Sequence, residues 1–442
     1  MYQIRSIDKY LERWKNTKSR KVLLVRGVRQ CGKTSSIRNL GRSFKYYVEL
    51  NLESEKDICT IFQGPIDIDR ITKALEVRSS TPIRDGETLL FIDEIQQSKE
   101  AIESLRFFHE KRPELHVVAA GSLLEIALES LSSFGVGRVE SLFMHPLSFM
   151  EFLHFSGEDI LRDAIEEGST TNPLDETIHQ KALLLFKDFI LTGGFPEAVC
   201  TYIEEKSFLE SRKVIDALST SFQDDFAKYG KKVPESILSE VLSLSIALAG
   251  KEIKKGTNAL PYKWSTIADV LYILEKISLI IPVYASQCSS LPIGADSAKT
   301  LFKLLPCDTG LYLSEAGLDL SSFVVESDFR KLNIGNLMET AAGLEILKSG
   351  NPAKHPELYF WKRSSSKDNH GISEVDYVVQ KNTNLIPIEI KGRVQGGMKS
   401  MWLYLEKGVS EYGIRSSFEN FSEYDRIKVI PIYALGSYLK KI

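Results

Sequence analysis

The run KVLLVRG (21–27) passes directly into Gly27-Val28-Arg29-Gln30-Cys31-Gly32-Lys33-Thr34-Ser35, and this stretch decides how the first third of the chain is read. An apolar strand pattern, the spacing GxxxxGK[ST] and a helical pattern follow one another in the order a phosphate cradle requires. Gly27 and Gly32 let the backbone turn so that the N–H groups of Arg29, Gln30, Cys31 and Gly32 converge on phosphate oxygens. The start of the next helix, with Ser35 in its first turn, reinforces them. Lys33 supplies a point charge for the β- and γ-phosphates, and Thr34 a hydroxyl for Mg²⁺. The Cys31 thiol has no part in this scheme, only its backbone. Set against this reading is a chance match within an ordinary strand–turn–helix.

A second segment weighs against chance. Leu89-Leu90-Phe91-Ile92-Asp93-Glu94 ends an apolar strand on two carboxylates. Asp93 is expected to hold Mg²⁺ through water, and Glu94 to polarise the attacking water as general base. Ser122, at the end of the next apolar run, is either a sensor of the γ-phosphate or the N-cap of a helix. Arg138 is either an arginine finger or a surface arginine. The expected cofactors are ATP and Mg²⁺.

Outward from these segments, KVLLVRG, YYVELNL (46–52), TLLFIDE (88–94) and LHVVAAGS (115–122) read as buried strands alternating with helical text. Strands apolar on both faces point to a parallel sheet covered on both sides. The fold class expected is therefore α/β: a P-loop NTPase sheet over residues 1–155, then a helical lid over 156–225. Helices at 236–250 and 265–281, followed by the beta-like IPVYAS and TLFKLLP, suit a winged helix-turn-helix over 226–330. Lysines 228, 231, 232, 251, 254 and 255 flank this unit, as a nucleic-acid face or as solvated surface. Residues 331–442 change to a helix followed by alternating strand text, where the family resemblance described below implies a further α/β domain of restriction-endonuclease type.

The totals set bounds. A chain of 442 residues with 43% hydrophobic and 26% charged residues has the balance of a water-soluble protein of several domains. A net charge of -3 rules out a histone-like coat of positive charge. Five separated cysteines with no CxxC pair argue against a disulfide framework or zinc site and for a reducing compartment. The opening MYQIRSIDKYLERW is amphipathic rather than a signal peptide. The longest apolar run, ISLII, stops at Pro282 and is too short for a bilayer. A cytoplasmic location with no membrane partner is expected.

The blocks GVRQCGKT, FIDEIQ, AAGSLLEIAL, GRV, HPLSFMEF, LTGGFPEAV, CDTGLYL and SEVDYVV–IPIEIKG, in order through nearly the whole chain, resemble a family of bacterial and archaeal ATPases. These carry an AAA-like N-terminal module followed by a large C-terminal region of unknown function. The resemblance implies ATP binding, ATP hydrolysis and a C-terminal part similar to the PD-(D/E)XK nuclease fold. It implies no substrate.

Asp376 and Glu389-Ile390-Lys391 have the order of that nuclease motif, although Asp376 lacks a preceding proline. Glu389 and Lys391, two apart on a strand, share a face. If the hairpin is symmetric about Asn382-Thr383, Asp376 lies opposite Glu389, with facing β-carbons about 4.5–5.5 Å apart. Carboxylates that close repel unless a cation or proton lies between them, and Mg²⁺ is the natural cation. Glu339, on the preceding helix, would complete the ligand set. The bland reading is a small sheet with a polar solvent face. Two functions are therefore expected to compete. In one, nucleotide state controls a nuclease-like half acting on DNA; in the other, a nucleotide-gated protein binds nucleic acid or protein and cuts nothing. A homo-oligomer is expected wherever Arg138 acts across subunits.

Overall fold

A computed structural model describes residues 2–122, 124–129, 137–229, 233–256, 261–297, 299–318, 335–363, 373–392 and 397–442. Of the basic clusters, Lys231, Lys232 and the side chain of Lys228 lie outside the described residues. The chain divides into two compact units. The first is Met1–Pro146 with the short segments Lys276–Ser278 and Asn351–His355; the second comprises Leu147–Glu275, Leu279–Gly350 and Pro356–Ile442.

In the first unit, β1 (Val22–Arg26), β2 (Tyr46–Asn51), β3 (Thr88–Asp93), β4 (His116–Gly121) and β5 (Val139–Phe143) form one sheet in the order β2-β3-β4-β1-β5. Every pairing in it is parallel. β3 and β4 are buried at every position, as expected of strands covered on both faces. Leu24, Leu50, Leu90 and Ile92 pack on one core with Leu105 and Phe108 of the helix Lys99–Lys111. That helix starts where the Ser98 side chain accepts the Ala101 N–H, satisfying one of its free donors. β5 is absent from the sequence reading, because VESLF is an edge strand with only Leu142 buried and so lacks an apolar signature.

The second unit holds nine described strands: β6 (Ile253–Lys254), β7 (Ile280–Ser286), β8 (Leu301–Pro306), β9 (Leu358–Lys362), β10 (Glu374–Lys381), β11 (Asn384–Lys391), β12 (Gly413–Ser417), β13 (Ser422–Tyr424) and β14 (Ile427–Pro431). They form a single mixed sheet in the order β13-β14-β12-β11-β10-β9-β7-β8-β6. Parallel pairing of β7 with β9, from Val283↔Leu358 to Ser286↔Trp361, joins what the sequence reading divides at 330/331. The expected winged-helix strands and nuclease-like strands therefore share one sheet. The helices Glu235–Ala247 and Trp264–Lys276 do precede the antiparallel pair β7–β8. The second ends five residues before the expected 281, because Ser278 takes a left-handed conformation (φ 61°) and β7 begins at Ile280.

The expected division at 155 falls instead at Pro146. Phe149 and Phe152 are fully buried and join the core of the second unit with Phe186 and Phe189, so this helix belongs to that unit. The spelling Thr192-Gly193-Gly194 is dictated here by a close approach. Gly193 has φ +81°, and a β-carbon on it would lie 2.3 Å from Asp308 Oδ1. The buried Asp308 carboxylate accepts the N–H groups of Gly194 (2.6 Å), Gly310 (2.8 Å) and Leu311 (3.2 Å).

Candidate functional site

Because the first sheet is parallel, the residues that follow β1, β3 and β4 leave it along one edge, which gathers Gly27, Glu94 and Ser122. Gly27 has φ +147°, and a β-carbon there would meet the Met144 carbonyl oxygen at 2.1 Å. Gln30 and Gly32 are also left-handed, at φ 61° and 102°. Gly32 caps the helix Lys33–Gly41 without any side-chain hydrogen bond, so the first-turn N–H groups stay available to an anion. The Cys31 side chain is buried, as its backbone-only role requires, and the buried Arg5 guanidinium donates to the Cys31 carbonyl at 3.0 Å. Arg29 pairs with Glu53 at 3.8 Å.

The Lys33 ammonium donates to the carbonyls of Gly27 and Val28, each at 2.9 Å. Thr34 Oγ1 donates to Asp93 Oδ2 at 2.8 Å, and the Glu94 N–H donates to Asp93 Oδ1 at 3.0 Å. Burial raises the Asp93 pKa, and the Thr34 hydrogen bond opposes that rise. A hydroxyl beside a carboxylate at a strand tip is the donor set that suits Mg²⁺, so these residues fit the ion and the nucleotide. Glu94 leaves β3 in a left-handed conformation (φ 49°), and Gln96 Nε2 donates to its Oε2. Gln96 lies against Gly121, where a β-carbon would be 2.1 Å from Gln96 Oε1. That buried oxygen has no hydrogen-bond partner. The sequence reading assigned no role to Gln96; its signal was its place within FIDEIQ.

Arg138 lies at the other edge of the sheet. Its carbonyl accepts the Val22 N–H at 3.2 Å, so the whole of β1 separates it from the loop, roughly 16 Å at about 3.3 Å per residue. Its guanidinium, about half exposed, contacts Glu110 at 3.2 Å. It cannot serve the loop of its own chain.

The second candidate cluster lies within the second unit. The β10–β11 hairpin turns on Asn382-Thr383, with Lys381↔Asn384 and Tyr377↔Ile388 paired and Asn382 at φ 55°. The paired register ends at Tyr377↔Ile388, and β10 carries a bulge between Val375 and Val378, so the expected Asp376–Glu389 facing pair lies beyond the regular ladder. Lys391 Nζ donates to Glu389 Oε1 at 2.7 Å along the same face. Asp376 Oδ2 accepts the Ile390 N–H at 2.7 Å.

The expected divalent ion meets a different arrangement. Lys303 of β8, only 3% exposed, places Nζ 2.6 Å from Glu339 Oε1 and 2.5 Å from Glu374 Oε1. Among the described residues, no group of three or more His, Cys, Asp or Glu side chains is disposed to hold a metal ion. Glu339, one of the expected ligands, pairs here with Lys303, while Asp376 accepts the Ile390 N–H and Glu389 accepts from Lys391. Burial is the largest cause raising Glu339, Glu374 and Glu389, each pushed up to about 7. Burial also raises Asp376, opposed by Lys303 and the Ile390 N–H. For Lys303 itself, burial acts downward, but Glu339, Glu374 and Asp376 outweigh it and raise the ammonium. Lys303 was missed in the sequence; its one local signal is a lysine inside the apolar strand LFKLLP.

The parallel sheet, the glycine loop with Lys33 and Thr34, and the Asp93-Glu94 tip define a P-loop ATPase-like domain of the AAA type. Residues 19–153 match the family model described as an AAA domain. Residues 183–322 and 334–435 match two domains of unknown function, DUF8612 and DUF4143. No curated protein matched the chain. Among solved structures, it is similar to the Walker-type ATPase PABY2304 of Pyrococcus abyssi (13% identity, 71% of this chain and 96% of that one, TM-score 0.44). It is also similar to the ORC1 protein of Aeropyrum pernix, solved in complex with DNA (13% identity, 73% and 95% covered, TM-score 0.30). A STAND protein, PH0952 from Pyrococcus horikoshii, is similar at 14% identity over 80% of this chain and 46% of that one, TM-score 0.27. No described helix is long and apolar enough to cross a membrane.

Proposed function

We propose that this chain binds ATP with Mg²⁺ at the P-loop and hydrolyses it, and that the nucleotide state governs what its second unit binds. The observation that carries the proposal is the 2.8 Å hydrogen bond from Thr34 to Asp93 with Glu94 next in sequence. Bound Mg²⁺ would offset charge on the β- and γ-phosphates. Lys33 exchanges the carbonyls of Gly27 and Val28 for phosphate oxygens, a stronger charge-assisted contact. Glu94 accepts the proton of the water that attacks the γ-phosphorus as the bond to the bridging oxygen of ADP breaks. Gln96 holds the Glu94 carboxylate for that transfer. Phosphate release by the native protein, absent in Lys33→Ala, tests this reading; equal release by both would end it.

For the second unit we favour a nucleotide-gated module that binds nucleic acid without cutting it, because a lysine stands among the carboxylates of the nuclease-like motif. DNA is the partner to test first, on the resemblance of β10–β11 to a nuclease hairpin. ATP turnover measured with and without duplex or single-stranded DNA checks the partner. The competing reading keeps a metal-dependent nuclease on Asp376, Glu389 and Lys391. It is favoured by Glu389 Oε2, a buried oxygen with no hydrogen-bond partner. Metal-dependent loss of supercoiled plasmid would decide for it.

A further inference from the structure

We propose that Lys303 is the resident cation of the carboxylate cluster: its ammonium takes the place the nuclease-like pattern gives to a divalent metal, and the second unit works without one. The inference concerns the second unit alone and stands whether or not the P-loop hydrolyses ATP.

Glu339 from the helix Gly335–Lys348, Glu374 and Asp376 from β10, and Glu389 from β11 converge, with Glu252 hydrogen-bonded to Glu374 beside them. Such a group needs positive charge. A fourth element supplies it, since β8 delivers Lys303 into contact with Glu339 and Glu374. Lys391 neutralises Glu389 from its own strand.

The surroundings suit an ammonium better than Mg²⁺. The Lys303 Nζ lies over the Phe360 ring, 5.1 Å from its centroid, and Phe360 is fully buried. An aromatic face attracts an organic cation. Mg²⁺ instead demands octahedral oxygen at about 2.0–2.1 Å and keeps several waters, which a buried ring cannot replace. Three of the oxygens that a metal would recruit are also in use. Glu339 Oε1 takes Lys303, Asp376 Oδ2 takes the Ile390 N–H, and Glu389 Oε1 takes Lys391. Glu389 Oε2 is buried without a hydrogen-bond partner, and Lys391 already neutralises that carboxylate through Oε1. A tethered cation further outcompetes a free one through its effective concentration. Where Lys303 goes, a divalent ion would have to share the space with a like charge.

The test is Mn²⁺ binding to the full-length protein without nucleotide, followed by electron paramagnetic resonance in native, Asp376→Asn, Lys303→Met and Lys303→Met/Asp376→Asn proteins. Any ion held at the P-loop is common to all four. The expected result is that native and Asp376→Asn bind alike, while Lys303→Met gains a Mn²⁺ site that Asp376→Asn removes. Mn²⁺ binding by the native protein that Asp376→Asn abolishes would overturn the inference. So would a folded Lys303→Met that gains no site, since the ammonium would then not stand where a metal can. Should Lys303→Met fail to fold, the native against Asp376→Asn comparison decides alone: equal binding upholds the proposal and a lost site sinks it.

Discussion

The Thr34 hydroxyl donates to Asp93 Oδ2 at 2.8 Å, joining the first turn after the P-loop to the tip of β3. Thr34's proton stands where Mg²⁺ is expected, and Asp93 is buried, so the pair is assembled before any ligand arrives. Asp93→Asn should therefore cost Mg²⁺-dependent affinity and little else. Hydrogen bonds to charged groups are worth about 1.5–3 kcal/mol, so ATP affinity in Mg²⁺ should fall roughly tenfold to a hundredfold. In EDTA the native and Asp93→Asn proteins should bind fluorescent ATP equally. Lys33→Ala should lose nucleotide binding in both conditions.

Glu94 is held by Gln96, and Gln96 is pinned by Gly121. Glu94→Gln should still bind ATP but release phosphate at least about a hundredfold more slowly, the scale of a lost general base. Gln96→Ala keeps the base but frees it, so kcat should fall roughly tenfold, with KM unchanged, for one lost hydrogen bond to a carboxylate. Gln96→Glu would set two carboxylates against each other and should be slower still. A Glu94→Gln protein with normal turnover would remove both assignments.

The first site was legible because its parts are short and local. The loop is encoded by consecutive residues, and Asp93-Glu94 needs only its strand to reach the same sheet edge. The β10–β11 pairing from Lys381↔Asn384 to Tyr377↔Ile388 was equally legible, since a two-residue turn fixes the pairs next to it, but the bulge between Val375 and Val378 was not. Lys303 was not. Its partners are Glu339 and Glu374, and only the non-local pairing of β7 with β9 carries β8 into the same sheet. The same pairing hid the continuity of the second sheet. No local pattern announces a parallel contact between strands separated by β8, the helices Thr309–Glu315 and Gly335–Lys348, and a change of sequence character.

Arg138 sits at the end of the sheet remote from the loop of its own chain. A finger role thus requires a second copy of the chain. Arg138→Ala should leave ATP affinity intact and lower turnover by roughly 10³, the scale found for such arginines. Turnover per chain of the native protein should rise with protein concentration and level off as the assembly saturates. Concentration-independent turnover by a monomer, unaffected by Arg138→Ala, would leave Arg138 as the surface partner of Glu110.

The cluster around Lys303 also sets a pH dependence of stability. Burial first, then neighbouring carboxylates, push Glu339 up to about 7 in the folded chain, opposed by Lys303. Burial and a hydrogen bond with Glu252 do the same for Glu374, and burial with Asp376 for Glu389. An unfolded glutamate titrates near its ordinary value, about 4.3. Between these values the folded chain binds more protons than the unfolded one, so this contribution is fully present below the unfolded pKa. It declines as pH rises and is lost once pH passes about 7. Glu339→Gln keeps an oxygen to accept from Lys303 and removes one titrating group. Its stability relative to the native protein, measured by urea unfolding from pH 5 to pH 8, should therefore rise with pH. A difference that stays flat across that range would mean that Glu339 is already ionised in the fold and that Lys303 fully compensates it.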